Sequence, residues 1–469
     1  LLSGEIIDTF DGNKKKGMFP SLWKLLCAEK NLGTFTIQNT TTNNYLNAEN
    51  EVDRYGASKL TAVSKFDKTS TNTQWQIVYD FTARKTGGFR IYSQKDKGEL
   101  IRAEQGAAVD TAALYRLAWG AGETDVKCFS FKFIPNNNGN YQIQTTMDVF
   151  KDYVLSENTK NGIDCCKAGT NDVWRIKRVD LNSTNNTGGN DSFFSSKVQE
   201  FEKLRNEAIK DYENQDYSLD SSPAIFKALF VKCTDVTMKV DGKYNSYIID
   251  SDVDKVLNHG ISRFEETVED MTKGALDIIP TVINLKDPIK VEGAFGYNDI
   301  KDNLTEEIPV EEYHSVFFLS AREGVYSTTG LNLTHTYGES YIQPADVKKE
   351  LERIENNASL EEDRKEFWTC GNITHEWIHQ IDIPSKLFIK DDTFPLCHDY
   401  LLEDKNGNKV DKELIKTVEN GVTYLTNPAN GYKWKYVEGK YPDHLGDYYE
   451  ALLSGEIIDT FDGNKKKGM

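Results

Sequence analysis

Ile373-Thr374-His375-Glu376-Trp377-Ile378-His379-Gln380-Ile381-Asp382-Ile383-Pro384 is the stretch on which the reading of this 469-residue chain turns. A helix has 3.6 residues per turn, so positions four apart share a face. His375 and His379 can then hold one metal ion, with Glu376 beside it. The chain has only seven histidines, so this spacing is not a product of abundance. Helix formers run from Glu361 to Glu366, and Phe367, Trp368, Ile373, Trp377, Ile378 and Ile381 recur at mostly helical spacing, with Pro384 expected to stop the element. Zinc held by three protein ligands and one water brings that water's pKa towards roughly 7, and a neighbouring carboxylate can take its proton. Glu376 is the expected base. A closed structural site would need four ligands, usually including thiolates. Cys370, five residues before His375, is a poor angular match for that.

Upstream, Ser315–Leu319 reads as a buried strand, and Leu331–Thr334 with Tyr337–Ile342 as an edge strand. Strand, edge strand and a helix carrying HExxH resemble the zincin fold, and Asp382 extends the motif to HExxHxxD, which resembles the anthrax lethal factor and Pro-Pro endopeptidase group. The resemblance implies an α+β zincin-like metalloprotease domain, a zinc endopeptidase that holds an extended peptide along residues 337–342. Position 385 is a serine, so the third zinc ligand is expected later, in Tyr441-Pro442-Asp443-His444-Leu445-Gly446-Asp447-Tyr448-Tyr449-Glu450. Glu450 is the first choice, on a helix from Tyr448 to Ile458 with Asp447 as its N-cap; Asp447 and His444 stand in reserve and His398 behind them. The lethal factor group carries its ligand in an acidic-aromatic-aromatic-small-acidic setting, which Asp447 to Ala451 approximates, leaving Asp447 and Glu450 both open. Tyr441 is the candidate for a hydrogen bond to the oxyanion.

The first third repeats itself. Gly33-Thr34-Phe35-Thr36-Ile37 recurs as Gly88-Phe89-Arg90-Ile91 and as Gly139-Asn140-Tyr141-Gln142-Ile143. Each repeat closes on an aromatic strand: Gln74–Val78, Phe129–Ile134 and Val173–Ile176. Three repeats of about 50 residues, all strand and polar turn, argue a threefold all-β unit. It resembles a ricin-type β-trefoil over about residues 31–180, which implies a carbohydrate-binding module. The QxW signature of that family is altered here: Gln74 adjoins Trp75, Phe131 stands in the second repeat, and Asp172-Val173-Trp174 closes the third.

The fold class expected is therefore multidomain, an all-β β-trefoil followed by an α+β zincin-like domain. The polar run 181–192 is the linker, and residues 193–469, with helical patterns at Phe193–Tyr212 and Asp252–Lys273, form the catalytic domain. Residues 1–18 recur unchanged as 452–469. Diverged repeats mark old architecture, whereas an unchanged one marks recent duplication or a sequence assembled as a circle. Residues 1–30 then belong with the C-terminal domain, and at most one copy can pack below Glu450.

A net charge of −18 disfavours a nucleic-acid partner. No segment has the length of a membrane span, and no leader is visible at Leu1, which a processed chain would have lost. Asn-x-Ser/Thr acceptors, among them Asn39, Asn182, Asn332 and Asn372, support a secreted glycoprotein. Cys370 and Cys397 bracket the motif, and a bridge there would stabilise by about 3–4 kcal/mol. The expected activity is a secreted zinc-dependent endopeptidase with a protein or peptide substrate, targeted to glycans by its β-trefoil. The alternatives are a toxin-like effector protease and a non-enzymatic carbohydrate-binding, storage or structural protein with a vestigial HExxH.

Overall fold

The structure, a computed structural model, describes residues 14–52, 58–81, 87–96, 99–104, 111–116, 129–146, 152–167, 169, 171–179, 192–218, 222–291, 300, 308–324, 328–330, 338–360, 369–389, 394–403, 408–409, 413–440 and 445–460. The chain is multidomain and rich in β-structure. One compact unit comprises residues 28–207, the other residues 1–27 with 208–469. The second unit includes β1 (Lys14–Lys16) and α1 (Pro20–Leu26).

Among the described residues the first unit carries twelve strands: β2 (Asn31–Asn39), β3 (Tyr45–Val52), β4 (Ser58–Val63), β5 (Trp75–Tyr79), β6 (Phe89–Ser93), β7 (Glu99–Glu104), β8 (Thr111–Arg116), β9 (Phe131–Pro135), β10 (Tyr141–Thr145), β11 (Tyr153–Glu157), β12 (Ile163–Lys167) and β13 (Val173–Arg178). Their register repeats three times. The first and last strands of each repeat pair through Phe35↔Trp75, Phe89↔Phe131 and Tyr141↔Trp174. Each closing strand also pairs with the opening strand of the next repeat, through Trp75↔Ser93, Phe131↔Thr145 and Trp174↔Asn39. Six strands thus close a ring, which removes open edges. The hairpins β3–β4, β7–β8 and β11–β12 complete a trefoil-like arrangement. Trp75, Phe131 and Trp174 hold one equivalent position, all buried. Each indole N–H meets a backbone carbonyl, Trp75 to Leu46 O at 3.1 Å and Trp174 to Leu155 O at 2.9 Å. Phenylalanine at 131 fills the same place without a donor to satisfy.

Helix α2 (Ser192–Asn214) begins where the sequence places a catalytic domain, yet its first turns complete the trefoil-like core. Phe194 meets Phe35, Phe133 and Tyr141 edge-on at ring separations of 4.9–5.3 Å, and Phe201 stacks on Tyr79 at 4.2 Å. The apolar spacing was legible; its partner was not. The linker proposed at 181–192 lies outside the described residues except for Ser192.

The second unit continues with β14 (Ala224–Cys233), β15 (Asp235–Val240), β16 (Lys243–Ile248), α3 (Ser251–Met271), β17 (Leu276–Leu285), β18 (Ile289–Val291), β19 (Ser315–Leu319), β20 (Thr328–Gly330), β21 (Gly338–Ile342), α4 (Val347–Glu355), α5 (Thr369–Ile389), β22 (Ile415–Glu419), β23 (Val422–Thr426), β24 (Tyr432–Lys435), α6 (Leu445–Leu453) and β25 (Ile457–Asp459). Its central sheet has the order β17-β14-β19-β21-β20, parallel except for β20. One face buries Leu229, Val231, Val316 and Phe318. The other presents Phe226, Phe230 and Phe317, against which Phe264 of α3 and Trp377 of α5 pack. A parallel sheet covered on both faces explains the near-continuous apolar runs of β14 and β19.

Two expectations change here. Residues 338–342 do not form the edge strand: β21 pairs with β19 on one side and β20 on the other, so the antiparallel edge passes to Thr328–Gly330. Residues 331–337 lie outside the described residues, as do 361–368. Pro384 sits inside α5, which runs on to Ile389. A proline removes one backbone donor and kinks a helix without having to end it.

The two copies are described over different stretches, residues 14–18 of the first and 452–460 of the second. From the second copy, Leu452 and Leu453 finish α6 and Ile457–Asp459 form β25; from the first, Lys14–Lys16 pair antiparallel with β25, and the Met18 N–H donates to Leu452 O at 2.8 Å. Residues 1–13 and 461–469 lie outside the described residues. The segment that follows, α1, buries Leu22, Trp23 and Leu25, with Trp23 stacked on Trp377 at 5.8 Å and 4°.

Candidate metal centre

Helix α5 is fixed before its polar residues are considered. Ile373, Trp377 and Ile381 recur four apart and are buried. Glu350 of α4 accepts from the Thr369 N–H at 3.0 Å, a carboxylate at a helix start where the exposed donors favour it. On the other side, α5 lies close to β21: the Gln380 side chain donates to Ser340 Oγ at 2.6 Å. A Cβ on Gly338 would stand 2.5 Å from the Gln380 side chain, so this approach requires glycine.

That placement turns His375 and His379 towards one point. Their Nε2 atoms are 3.2 Å apart, and a third, His398 Nε2, lies 3.3 Å from His375 Nε2. Metal–nitrogen bonds of about 2.0–2.1 Å at tetrahedral angles set nitrogens roughly 3.3 Å apart. The described residues hold one group of this kind, His375, His379, Cys397 and His398, with ligand atoms within 4.8 Å of one another. Burial first, then the neighbouring imidazoles, push the pKa of His375 down to about 3; the same causes push His379 to about 4. Both rings are neutral at pH 7, the state in which imidazole binds a metal.

His398 lies in the turn 394–403, which side chains hold from several directions. Asp382 accepts from the Cys397 N–H at 2.7 Å, Tyr448 donates to Leu396 O at 2.6 Å, and Asn427 and Asn430 donate to Asp399 O at 2.9 and 2.6 Å. Asp382, the residue that extends the motif to HExxHxxD, stands 4.0 Å from His379 Nδ1. It therefore ties the second histidine to the turn that brings the third. Burial raises its pKa to about 7, against the backbone N–H groups of Cys397 and Ile383.

Glu376 is buried on the same helix, and its carbonyl accepts from Ser340 Oγ at 3.4 Å. Glu450, first choice as third ligand, is instead paired with Lys440 and is absent from the group around the imidazoles. Helix position explains this: α6 reaches the histidines through Tyr449, and one residue further along the axis turns Glu450 by about 100°. Asp447 is buried, accepts from the Val437 N–H at 3.2 Å and is likewise outside the group; burial raises its pKa to about 6. Tyr441 and His444 lie outside the described residues. Cys397 is the donor that sequence reasoning missed. Its Sγ faces His375 Nδ1 at 3.6 Å rather than the Nε2 atoms. No disulfide joins Cys370 and Cys397, Cys370 lying 3.8 Å from Thr267 Oγ1, so the bridge anticipated between them is not formed.

No family model and no curated protein matches the chain. Among solved structures, similarity extends to a salivary protein from Culex quinquefasciatus of a cysteine- and tryptophan-rich family, with 13% identity over 32% of this chain and 94% of that one and a TM-score of 0.24. An agglutinin from Rhizoctonia solani shares 13% identity over 31% of this chain and 93% of its own, with a TM-score of 0.23. An endo-β-galactosidase from Clostridium perfringens that releases GlcNAcα1-4Gal shares 12% identity over 32% and 33%, with a TM-score of 0.25.

Proposed function

We propose that the second unit is a zinc-dependent endopeptidase of zincin type in which His375, His379 and His398 hold the metal and Glu376 is the general base. The observation that carries this is the approach of His379 Nε2 and His398 Nε2 to His375 Nε2 at 3.2 and 3.3 Å, the spacing of ligands on a tetrahedral ion, with the buried carboxylate of Glu376 next to His375 on the helix. Three protein ligands leave a fourth position for water, and the ion supplies an acidified water there. The chain's own part is to hold three imidazole rings, to place Glu376 to take a proton, and to shield the site through the aromatic packing behind Trp377. The antiparallel edge β20 gives an extended peptide a strand to join. The first unit, read as a ricin-type β-trefoil, would bring the enzyme to glycans, and the acceptor sequons favour a secreted protein. Support for the trefoil reading is its threefold register, with Trp75 paired to Phe35 and Trp174 to Tyr141 at equivalent places.

The test is elemental analysis with a cleavage assay. The purified chain should hold one zinc, hydrolyse a denatured protein substrate and lose that activity to a chelator. Glu376→Gln should keep the metal while turnover falls about 10²–10⁴-fold. A chain without metal, or a Glu376→Gln variant with full turnover, would refute the reading.

One observation favours a second reading. Cys397 gives the group a fourth donor, and four ligands make a closed, structural site. Cobalt substitution separates the two, because a thiolate ligand adds an intense near-ultraviolet charge-transfer band that an all-imidazole site lacks. The direction of Cys397 Sγ, towards Nδ1, argues for the open site.

A further inference from the structure

A neutral imidazole carries a single proton. For Nε2 to offer its lone pair to a metal, that proton must sit on Nδ1, where some neighbour has to accept it. His379 has Asp382 in that direction. His375 Nδ1 meets the hydroxyl of Tyr449 in a short contact. We propose that Tyr449 is a positioning residue for the metal, its phenolic oxygen accepting the His375 Nδ1–H and so fixing both the tautomer and the tilt of the first ligand ring. This rests on the reading of the three histidines as a metal centre.

Three further features bear on the assignment. The Cys397 thiol donates to the same phenolic oxygen at 3.3 Å, which pins that oxygen from a second side. The Tyr449 ring is held edge-on against Tyr400, at 6.2 Å and 87°, so the hydroxyl has little freedom to swing away. The preceding residue, Tyr448, donates to Leu396 O and steadies the turn that carries His398. Two consecutive tyrosines of α6 thus act on the first and third ligands, one through a ring nitrogen and one through backbone. A phenol oxygen in this role differs from the carboxylates that more often stand behind metal-bound histidines.

Tyr449→Phe removes the oxygen and keeps the ring. Zinc affinity, measured by competition with a chelating dye, should fall about 10–100-fold while stoichiometry at saturation stays at one per chain and the metal-free protein melts as before. Cys397→Ser keeps a hydrogen-bond donor and should bind zinc close to the parent value. Unchanged affinity in Tyr449→Phe would overturn the proposal while leaving the metal centre in place. So would a weakened affinity matched by an equally weakened metal-free fold, because the hydroxyl would then support the fold rather than the ring. Loss of zinc in Cys397→Ser would overturn it too, by making the thiol a ligand. A parent chain that takes up neither zinc nor cobalt would sink the metal reading itself.

Discussion

The two units encode their structures in opposite ways. The trefoil-like unit states the same strand register three times, so its fold is over-determined while no single residue in it marks a ligand site. The second unit states its chemistry once, in five consecutive residues, and leaves its completion to a turn nineteen residues beyond His379. Repetition makes a fold legible. Chemistry is legible only where its ligands share one local element, and His375 and His379 do so whereas His398 does not.

The sharpest way to break this contrast is to remove the distant partner. His398→Ala should abolish metal binding near neutral pH and with it all metal-dependent turnover, leaving the thermal unfolding of the first unit unchanged. One equivalent of tightly held zinc in that variant would show that the local motif suffices with some other ligand, and the contrast would fail.

How much could be read beforehand follows the same division. Phe35, Phe89 and Tyr141, with Trp75, Phe131 and Trp174, were legible because each lies at a fixed place in a repeat, and the register bears them out. The helix at 373–381 was legible from its period. His398 was ranked low because nothing local to it signals metal; it is brought in by Asp382, Tyr448, Asn427 and Asn430, contacts that join residues up to 52 positions apart. The one sequence signal that could have found it was Asp382 itself. A carboxylate three residues past the second histidine needs a partner, and the Cys397 N–H supplies it. The mistaken edge strand has a similar cause, since alternation cannot tell an edge from its neighbour.

The repeats offer the next largest effect. Trp75→Ala and Trp174→Ala each empty a fully buried site and leave an unpaired carbonyl, of Leu46 or Leu155, and should destabilise the first unit by about 3–5 kcal/mol. Phe131→Ala should cost somewhat less within that range, having no hydrogen bond to lose. Denaturant unfolding followed by tryptophan fluorescence would measure this, with zinc content expected to stay at the parent level. A loss below about 1 kcal/mol at any of the three would show that the repeats are not equivalent in energy as they are in register.

Acidification sharpens the comparison more gently. His375 and His379 titrate near 3 and 4 in the folded chain, below the ordinary imidazole value, so the unfolded chain binds more protons and these rings cost stability as pH falls below 6.5. Asp382 and Asp447 are raised to about 7 and about 6; they bind protons in the folded state first, and their contribution grows as pH falls through the same window. Two groups of each sign nearly offset, so the net contribution of these four groups to the stability of the metal-free fold should be almost level between about pH 4.5 and 6. Protons compete with the metal for His375 and His379 only near pH 4, so equilibrium dialysis should show zinc retained well below pH 6. Release with a midpoint at 6.5 would mean that these imidazoles are ordinary, solvated ones.

The smallest effect is expected at the residue the sequence favoured most. Glu450 pairs with Lys440, and both side chains are partly open to solvent. Such a pair contributes about 0–1 kcal/mol, so Glu450→Gln should shift unfolding little and leave zinc stoichiometry at the parent value. The result decides between two ways of completing the site. If Glu450→Gln sheds zinc while His398→Ala keeps it, the third ligand comes from the helix after all, the turn at 394–403 is only packing, and the dependence on a distant segment passes from a turn to a helix. If the metal stays, Glu450 serves its pair with Lys440 and the turn at 394–403 completes the site.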